Sequence, residues 1–497
     1  MELNIIEFST KNNNYVFDGN TSRIFLIDKY FEHILKCLQS EVESVDEICK
    51  ESEQDLDKET LKQRCQYVNQ LIDRGCFYKR EITGNKKVYI KEEIYNTPNM
   101  ALILVLTGSC NLRCKYCVYG EYYPNEITYS DIEDISLDTI QKAIDEYITL
   151  YKDKERHGYF KIPSIFFYGG EPLLKKDLIK DTINYIKEKN FECNFYMTTN
   201  GLFLDEEFSE FCVKNHFTIT FSLDGYKNNH DRNRVTKNNN PTFDVVYNNI
   251  VNYEKIKRKY NSKEITSFNC CYDDYTDIEK CVDFFIENAE LFMPMYVVYS
   301  YINPYETDYY KSLEKNCKQE KCFNKSYGKV YDKFVNGEYK SAVQKAATQN
   351  LFLGCSSLSM RNIGTNRSGL NNCCIPLTKL AVYPDGTYTI CERMNKKMPI
   401  GNVNEGIDYI KIQEIMDAMV YELNEGRCRN CTVKNLCNAC YQFVNTSCQI
   451  KEEFCRNEKN TIINRLIQYC DILEKNPLAF EGTIMSEEER KLLKILG

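Results

Sequence analysis

A regular alternation of apolar and helical segments between residues 99 and 305 constrains the fold most strongly. Apolar runs of strand length recur six times there, and segments with helical periodicity separate them. This pattern is typical of a parallel sheet whose strands are joined by crossover helices. Six such units without a clear reversal predict an α/β fold with a barrel or partial barrel, whose chemistry lies at the carboxyl ends of the strands. The runs read ALILVLT, SIFFYG, CNFYMTT, FTITFSL, ITSFNC and MYVVYSY.

The residues before this region, 1–95, are predicted to form a unit of their own. The segment NYVFDGNTSRIFLID predicts two strands around a turn at Asp18-Gly19. Three helical patterns follow, and CFYKREI predicts a last strand. The arrangement resembles a small winged-helix-like module, and a plain helical cap with an edge hairpin is the alternative. The helical patterns are KYFEHILKCLQS, VDEICKES and KETLKQRCQYVNQLIDRG.

The region after the alternation changes character twice. Residues 306–354 are polar with a helical pattern and form a predicted bridge. Residues 355–475 are dense in cysteine, with little regular pattern until a helical stretch begins near 456. The tail, 476–497, is predicted to be partly mobile.

Composition limits the partners and the compartment. A net charge of -8 disfavours nucleic acid, because phosphate binding needs a basic surface. The N-terminus shows no secretion signal, and no apolar run reaches the length of a membrane span, so we expect a cytoplasmic protein. In that reducing compartment, the clustered members of the 25 cysteines are better explained as metal ligands than as disulfides.

Three cysteines follow the first strand in the spacing C-x3-C-x2-C, at Cys110, Cys114 and Cys117. A cubane iron–sulfur cluster has four iron sites, so three thiolates leave one iron without a protein ligand. Structural zinc sites are normally closed by four protein ligands. A zinc knuckle completed by a distant residue is the alternative.

With this spacing on the loop after the first strand, residues 100–300 resemble the radical S-adenosylmethionine (SAM) superfamily. The resemblance implies a partial (β/α)6 barrel and a [4Fe-4S] cluster whose open iron chelates the amino and carboxylate groups of SAM. Reductive cleavage then releases methionine and a 5′-deoxyadenosyl radical. It also implies that Tyr116 packs near the adenine.

Further motifs at strand ends support the resemblance. In GGEP, glycines allow a ligand to approach the backbone, and the carboxylate can accept from the SAM ammonium. In HDxxR, at His230 and Asp231, the arginine is implied to pair with the SAM carboxylate. For GGEP the alternative is a glycine turn with a surface glutamate, and for HDxxR the alternative is a solvated basic turn. The implied SAM-binding residues are Tyr116, Gly169, Gly170, Glu171, Asn200 (in MTTNG), Ser222 (in FSLDG, near the ribose) and Arg234.

A second group of cysteines lies near the C-terminus and holds too many thiols for one site. Two auxiliary clusters are the economical interpretation, and zinc ribbons are the alternative. The group resembles the SPASM extension of radical SAM peptide-modifying enzymes. Its last pair of cysteines is spaced C-x2-C instead of the usual C-x3-C. This spacing, together with the segments CERM and GNVNEG, is more similar to ranthipeptide and sactipeptide maturases, which install thioether bridges in cysteine-rich peptides.

That resemblance implies two ligand sets. Cys428, Cys431, Cys437 and Cys455 would hold one cluster, with Cys448 as an alternative to Cys455. The other would be held by Cys374, Cys391 and Cys440. Cys373 could close the second set, with Cys355 as an outside candidate; otherwise an iron stays open for a substrate thiolate.

The implied enzyme is a maturase with SAM and three [4Fe-4S] clusters, acting on a cysteine-rich precursor peptide with a leader. A carbon radical would meet a cluster-bound sulfur, and the cluster would accept the extra electron. The 1–95 module would bind the leader as an added strand. The expected electron donor is ferredoxin or flavodoxin, with no nucleic-acid or membrane partner. The rival functions are carbon–carbon crosslinking, epimerisation, activation of a partner protein, and a zinc-stabilised binding protein.

Overall fold

The computed structural model describes most of the chain and divides it into two compact units. One unit combines residues 1–90, 353–375 and 413–480, and the other combines 91–352, 376–412 and 481–497. The domain boundaries expected from the sequence remain predictions. The described residues are 2–40, 47–48, 56–79, 89, 101–123, 128, 131–156, 162–302, 304, 307–316, 320–356, 370, 377–394, 396–445, 447–477 and 479–480.

A ten-stranded sheet forms the centre of the second unit. All six predicted strands are present and run parallel in chain order, which confirms the α/β fold and the partial barrel. The first of them is buried at every residue, as expected for a parallel strand covered on both faces. The six are β4 (Ala101–Val105), β5 (Ser164–Tyr168), β6 (Asn194–Thr199), β7 (Phe217–Ser222), β8 (Thr266–Tyr272) and β9 (Met295–Tyr301).

Four strands that the sequence analysis did not predict extend the sheet beyond β4. The first pairs parallel with β4, and the others continue antiparallel. They lie in the region that showed little regular pattern, because strands of two to four residues leave almost no periodicity to read. They are β10 (Lys379–Val382), β11 (Thr387–Thr389), β12 (Pro399–Asn402) and β13 (Gly406–Ile407).

The helices between the parallel strands bury one apolar face and begin at capping residues. Asp205 accepts from the Phe208 amide and Asp277 from the Lys280 amide, which satisfies donors that the first helical turn leaves unpaired. For the described residues of this unit the helices are α3 (Leu137–Arg156), α4 (Lys176–Glu188), α5 (Glu206–Lys214), α6 (Lys227–Asn233), α7 (Phe243–Lys259), α8 (Ile278–Glu287), α9 (Ala289–Phe292), α10 (Tyr309–Asn316), α11 (Phe323–Val335) and α12 (Ala342–Ser356).

The first unit contains an antiparallel sheet of β1 (Ile5–Ser9), β2 (Asn14–Asp18) and β3 (Ile24–Ile27), in that order. The predicted strand pair around Asp18-Gly19 is confirmed, and β1 was not predicted. The helical pattern VDEICKES falls almost entirely outside the described residues, as does CFYKREI beyond Lys79. The helices are α1 (Lys29–Gln39), α2 (Lys58–Asp73), α13 (Tyr409–Asn424, whose first turn belongs to the other unit) and α14 (Glu452–Lys475).

Candidate functional site

The three clustered cysteines lie on the loop that follows β4, residues 106–122, which we call the thiol loop. The loop pairs with the end of α6 and the residues after it: the Lys115 amide donates to the carbonyl of Asn233, the last residue of α6, at 3.1 Å, and the Arg113 amide donates to the Val235 carbonyl at 2.7 Å. The Cys117 amide donates to the Cys114 carbonyl at 3.0 Å. These backbone bonds place the thiols at the carboxyl edge of the parallel strands.

Cys110 is buried, and Cys114 and Cys117 are half-buried. Burial raises the pKa of Cys110 well above its ordinary value, and Glu171 and the neighbouring thiols raise it further. Burial also raises the pKa of Cys114 to about 12, although the Arg234 guanidinium opposes the shift. Such thiols ionise only when a cation such as iron displaces their protons.

The GGEP segment packs directly onto the thiol loop. The Gly170 amide donates to the Thr107 carbonyl at 2.6 Å, and the Glu171 amide donates to the Ser109 carbonyl at 2.9 Å. A Cβ atom at Gly170 would lie 2.3 Å from the Ser109 carbonyl oxygen, so only glycine permits this approach. Gly169 adopts a φ of +140°, a conformation that side chains rarely adopt.

Glu171 is a buried carboxylate, not a surface residue. It is 1% exposed and accepts from the Leu173 amide at 2.9 Å and the Thr199 hydroxyl at 2.6 Å. The backbone amide of Asn200 donates to the other carboxylate oxygen of Glu171, Oε2, at 2.8 Å. Burial raises its pKa despite these three donors. A carboxylate oxygen can accept more than one hydrogen bond, so Oε2 retains capacity for a ligand donor.

Arg234, the arginine of HDxxR, is held by a partner that the sequence analysis missed. Its Nε donates to Asp224 Oδ2 at 3.0 Å, and its Nη1 lies 3.7 Å from Cys114 Sγ. The guanidinium carbon is 5.2 Å from the centre of the Tyr116 ring, and the Tyr116 hydroxyl donates to Asp224. The signal for this partner was present in FSLDG, where Asp224 follows Ser222 by two residues.

The rest of the HDxxR turn is structural. His230 is fully buried, with its Nε2 3.2 Å from the Thr242 hydroxyl, so the turn is not the solvated basic turn of the alternative. Asp231 accepts from the amides of Thr242 and Phe243, each at 2.8 Å. Ser222 is half-buried and ends β7.

A cavity of about 710 Å³ lies beside the thiol loop and has the size of a cofactor site. Cys110 and Cys114 line it, together with Arg113, Lys115 and Lys237. Among the described residues, no three His, Cys, Asp or Glu side chains converge to hold a single metal ion. The thiolates of a cubane each bind a different iron and need not converge on one point.

Four C-terminal cysteines line one small cavity of about 30 Å³, which we call the auxiliary cavity. They are the four of the first implied set: Cys428, Cys431, Cys437 and Cys455. Burial, together with the nearby Glu422 and the other three thiols, raises the pKa of Cys428 to about 12. Cys448 is buried in a turn, where its amide donates to the Asn445 carbonyl at 3.0 Å, and is not among the lining residues.

The second implied set is only partly described. Cys373 and Cys374 lie outside the described residues, and Cys355 falls within α12. Cys440 precedes the short helix Tyr441–Phe443. Cys391 follows β11, and its Sγ lies 3.0 Å from an oxygen of the buried Glu392, a residue to which the sequence analysis gave no role.

The parallel sheet and the thiol loop at its carboxyl edge are features that can be compared with those of known protein families. Residues 104–279 match the family model of the radical SAM superfamily, so this chain carries a radical SAM domain.

The chain is homologous to anaerobic sulfatase-maturating enzymes. It is 28% identical over 247 residues to the cysteine-type anaerobic sulfatase-maturating enzyme of Clostridium novyi (strain NT), covering 48% of this chain and 62% of that protein, less than two thirds of its length. It is 24% identical over 384 residues to the cysteine-type enzyme of Clostridium perfringens (strain ATCC 13124), covering 72% of this chain and 95% of that protein.

A solved structure of native anSMEcpe with bound AdoMet and Kp18Cys peptide shares the fold. Its TM-score is 0.51 at 18% identity, covering 78% of this chain and 99% of that one. None of the described helices has the length and apolar character that crossing a bilayer demands.

Proposed function

We propose that the chain is a cytoplasmic radical SAM peptide maturase that forms thioether bridges between cysteines and carbon atoms of a leader-bearing ribosomal peptide. The observation that supports it most is the packing of the thiol loop against Gly169, Gly170 and Glu171 at the carboxyl edge of the parallel sheet. The three cysteines suit an iron–sulfur cluster, and the buried carboxylate of Glu171 next to them suits the amino group of SAM.

The cysteine trio and the 710 Å³ cavity that Cys110 and Cys114 line fit an iron–sulfur cluster. Cys110, Cys114 and Cys117 would hold the [4Fe-4S] cluster. When bound, the cluster and SAM supply a 5′-deoxyadenosyl radical that takes a hydrogen atom from a carbon of the peptide. The buried side chains of Glu171, Asn200 and Arg234 would hold their polar groups in fixed orientations around the cofactor.

The polar residues at the strand ends would bind SAM. Glu171 can accept from the ammonium through Oε2, because its three protein donors fix the carboxylate without saturating it. Arg234 can reach a SAM carboxylate with guanidinium donors other than Nε, which Asp224 occupies. Gly169 and Gly170 leave the backbone open to the ligand. Asn200, Ser222 and Tyr116 complete the proposed SAM site.

Two auxiliary [4Fe-4S] clusters are part of the proposal. The auxiliary cavity supports Cys428, Cys431, Cys437 and Cys455 as one ligand set. Cys374, Cys391 and Cys440 would form the other, with an iron left for a substrate thiolate unless Cys373 closes it. Binding to iron would deprotonate that thiol and fix its position next to the radical carbon.

The N-terminal sheet is the proposed leader-binding element. Its strand β3 lies at one edge of the sheet, and Leu26 on that strand is 62% exposed. A leader segment could add there as a further strand, with main-chain hydrogen bonds for affinity and a pocket for specificity. Ferredoxin or flavodoxin is the proposed electron donor.

A second candidate is maturation of a cysteine in a partner protein. The names of the relatives from Clostridium, both cysteine-type sulfatase-maturating enzymes, favour it. Carbon–carbon crosslinking and epimerisation belong to the same group of reactions. A zinc-stabilised binding protein is the alternative from another class, and about twelve irons with matching sulfide per chain would exclude it.

The test is a mass measurement on the peptide product. Anaerobic enzyme is incubated with dithionite, SAM and a small cysteine-rich, leader-bearing peptide, and the product is reduced before alkylation. We expect a loss of about two mass units per bridge with one cysteine per bridge protected from alkylation, whereas disulfides would have been reopened by the reductant. The Cys114→Ala variant should leave the peptide unchanged. Unchanged mass with the native enzyme, despite release of 5′-deoxyadenosine, would indicate epimerisation instead.

A further inference from the structure

Asn111, the residue directly after Cys110, carries a buried hydrogen-bond donor with no protein acceptor. Its side-chain Nδ2 is shielded from solvent and has no hydrogen-bond partner among the described residues. Burying a polar group without a partner is costly, and almost all such groups in native proteins are paired. An unpaired donor inside a cofactor loop therefore points to an acceptor that belongs to a ligand.

The neighbouring hydrogen bonds fix which end of the amide is unpaired. The Leu202 amide donates to Asn200 Oδ1 at 2.9 Å, so the other end of the Asn200 side chain is its NH2 group. That group lies 2.7 Å from Asn111 Oδ1 and donates to it. Rotating the Asn111 amide would set two donors against each other, so its Nδ2 is the free end.

The side chain of Asn111 lies beside the sulfur of Cys110. Its Oδ1, the acceptor end of the amide, is 3.9 Å from Cys110 Sγ, and Asn200 Nδ2 donates to the same sulfur at 3.8 Å. The Leu112 amide also donates to this sulfur, at 3.4 Å. The surroundings of Cys110 are thus rich in N–H donors, an arrangement that suits sulfur atoms carrying negative charge.

We propose that Asn111 donates a hydrogen bond through Nδ2 to a sulfur atom of the cluster held by Cys110, and that Asn200 orients it. The inference rests on the proposed function of the thiol loop as a cluster site. Reduction adds negative charge to the cluster, so a donor to its sulfur stabilises the reduced form more than the oxidised form and raises the reduction potential. Asn111 would thereby make the electron transfer that precedes SAM cleavage easier.

The test is a redox titration of the reconstituted full-length enzyme in the absence of SAM. It measures, by electron paramagnetic resonance, the midpoint potential of the thiol-loop cluster, which is the cluster whose spectrum changes when SAM is added. Asn111→Ala should shift the midpoint potential to more negative values. A tenfold lower equilibrium constant for reduction corresponds to a shift of about 59 mV for one electron. Asn111→Asp keeps the shape but replaces the donor with an acceptor, so its shift should be larger. Asn111→Ser retains a donor and should recover part of the potential.

Asn288→Ala is the matched control, because Asn288 is also half-buried but its amide is paired at both ends. Its Nδ2 donates to the Phe284 carbonyl at 2.8 Å, and its Oδ1 accepts from the Tyr247 hydroxyl at 2.6 Å. This variant should lower thermal stability and leave the potential unchanged.

The outcomes separate this inference from the function on which it rests. Native enzyme that assembles no SAM-responsive cluster would overturn the proposed function. Native potentials in both Asn111→Ala and Asn111→Asp, with the cluster assembled, would overturn the inference alone. The same native potentials with a weakened SAM affinity would move the acceptor from the cluster to SAM and would also overturn the inference as stated.

Discussion

Gly170 joins the two loops of the candidate site because it lacks a side chain. A Cβ atom there would lie 2.3 Å from the Ser109 carbonyl oxygen and 2.6 Å from that of Gly108. Both obstacles are backbone atoms, which cannot rotate away as a side chain can. Any larger residue must therefore displace the thiol loop next to Cys110.

We expect Gly170→Ala to lower the free energy of unfolding by about 1–3 kcal/mol, the usual cost of forcing atoms into a packed site. Iron bound at the thiol loop should fall as well. Thermal unfolding and iron content per chain measure the two effects. The matched control is Gly328→Ala in α11, where an added Cβ meets nothing within 4 Å and helix propensity favours alanine by up to about 1 kcal/mol. Equal behaviour of the two variants would show that the contact at Gly170 is unimportant.

The chemistry of single residues was readable from the sequence, but their tertiary partners were not. The spacing of Cys110, Cys114 and Cys117 and the strand that precedes them suffice to predict a thiol site at the sheet edge. Arg234 was expected as a free fork for a carboxylate, whereas its Nε is bonded to Asp224. FSLDG contains the aspartate, but the pairing joins residues from different elements, so the motif does not show which arginine the aspartate contacts.

At the scale of elements, one carboxylate in the last turn of α14 accepts hydrogen bonds from the β1–β2 hairpin. Glu474 accepts from the Thr10 hydroxyl at 2.6 Å, the Asn12 amide at 3.0 Å and the Tyr15 hydroxyl at 2.7 Å. Burial opposes ionisation, but hydrogen bonds from Thr10, Asn13 and Tyr15 outweigh it and lower the pKa of Glu474 to about 2. The ionised form is therefore the one that holds the hairpin.

This carboxylate predicts a pH-dependent contribution to stability. Its folded pKa lies below the ordinary value of 4.5, so the contribution is complete above that pH and is lost as the pH falls towards about 2. We expect Glu474→Gln to lower the urea midpoint of the cluster-free chain at pH 7, and the difference from the native chain to shrink between pH 5 and pH 3. Glu453→Gln, at an exposed position in the same helix, should show little change. A difference that stays constant down to pH 3 would contradict this account.

Element length decided which strands were predictable. The six parallel strands have five to seven residues, and their apolar runs contrast with the helices between them. The missed strands β10 to β13 have two to four residues. Strand β10 pairs with β4, which lies far away in the sequence, so its stability comes from a contact that periodicity cannot detect.

At the scale of the molecule, the N-terminal sheet and the C-terminal cysteines share one hydrophobic core. Phe8 and Phe17 are buried together with Val433, Leu436, Ile462, Leu466 and Cys470, and Cys431 and Cys437 pack against this group. Residues separated by more than 400 positions thus support each other. Local sequence patterns place these residues in separate regions, because a shared core is a property of the folded chain and leaves no local pattern.

This shared core predicts that a strand near the N-terminus controls metal binding near the C-terminus. Phe17→Ala leaves a cavity in a fully buried position and should cost about 3–5 kcal/mol of stability. The two cysteines that pack on this core should lose their positions, so iron bound at the auxiliary cavity should fall by up to about four atoms per chain. Phe17→Leu, a milder change, should give an intermediate loss. Iron and sulfide content after reconstitution measures both.

Leu26→Ala in the adjacent strand β3 is the control with the opposite outcome. Leu26 is 62% exposed and lies outside this core, so iron content and stability should stay native, while affinity for the leader peptide should fall. Fluorescence anisotropy with a labelled leader measures that affinity. A full iron complement in Phe17→Ala would show that the auxiliary site folds independently of the N-terminal sheet. Loss of iron in both variants would mean that the sheet acts through its general stability and not through the contact of Phe17 with the cysteine-bearing segment.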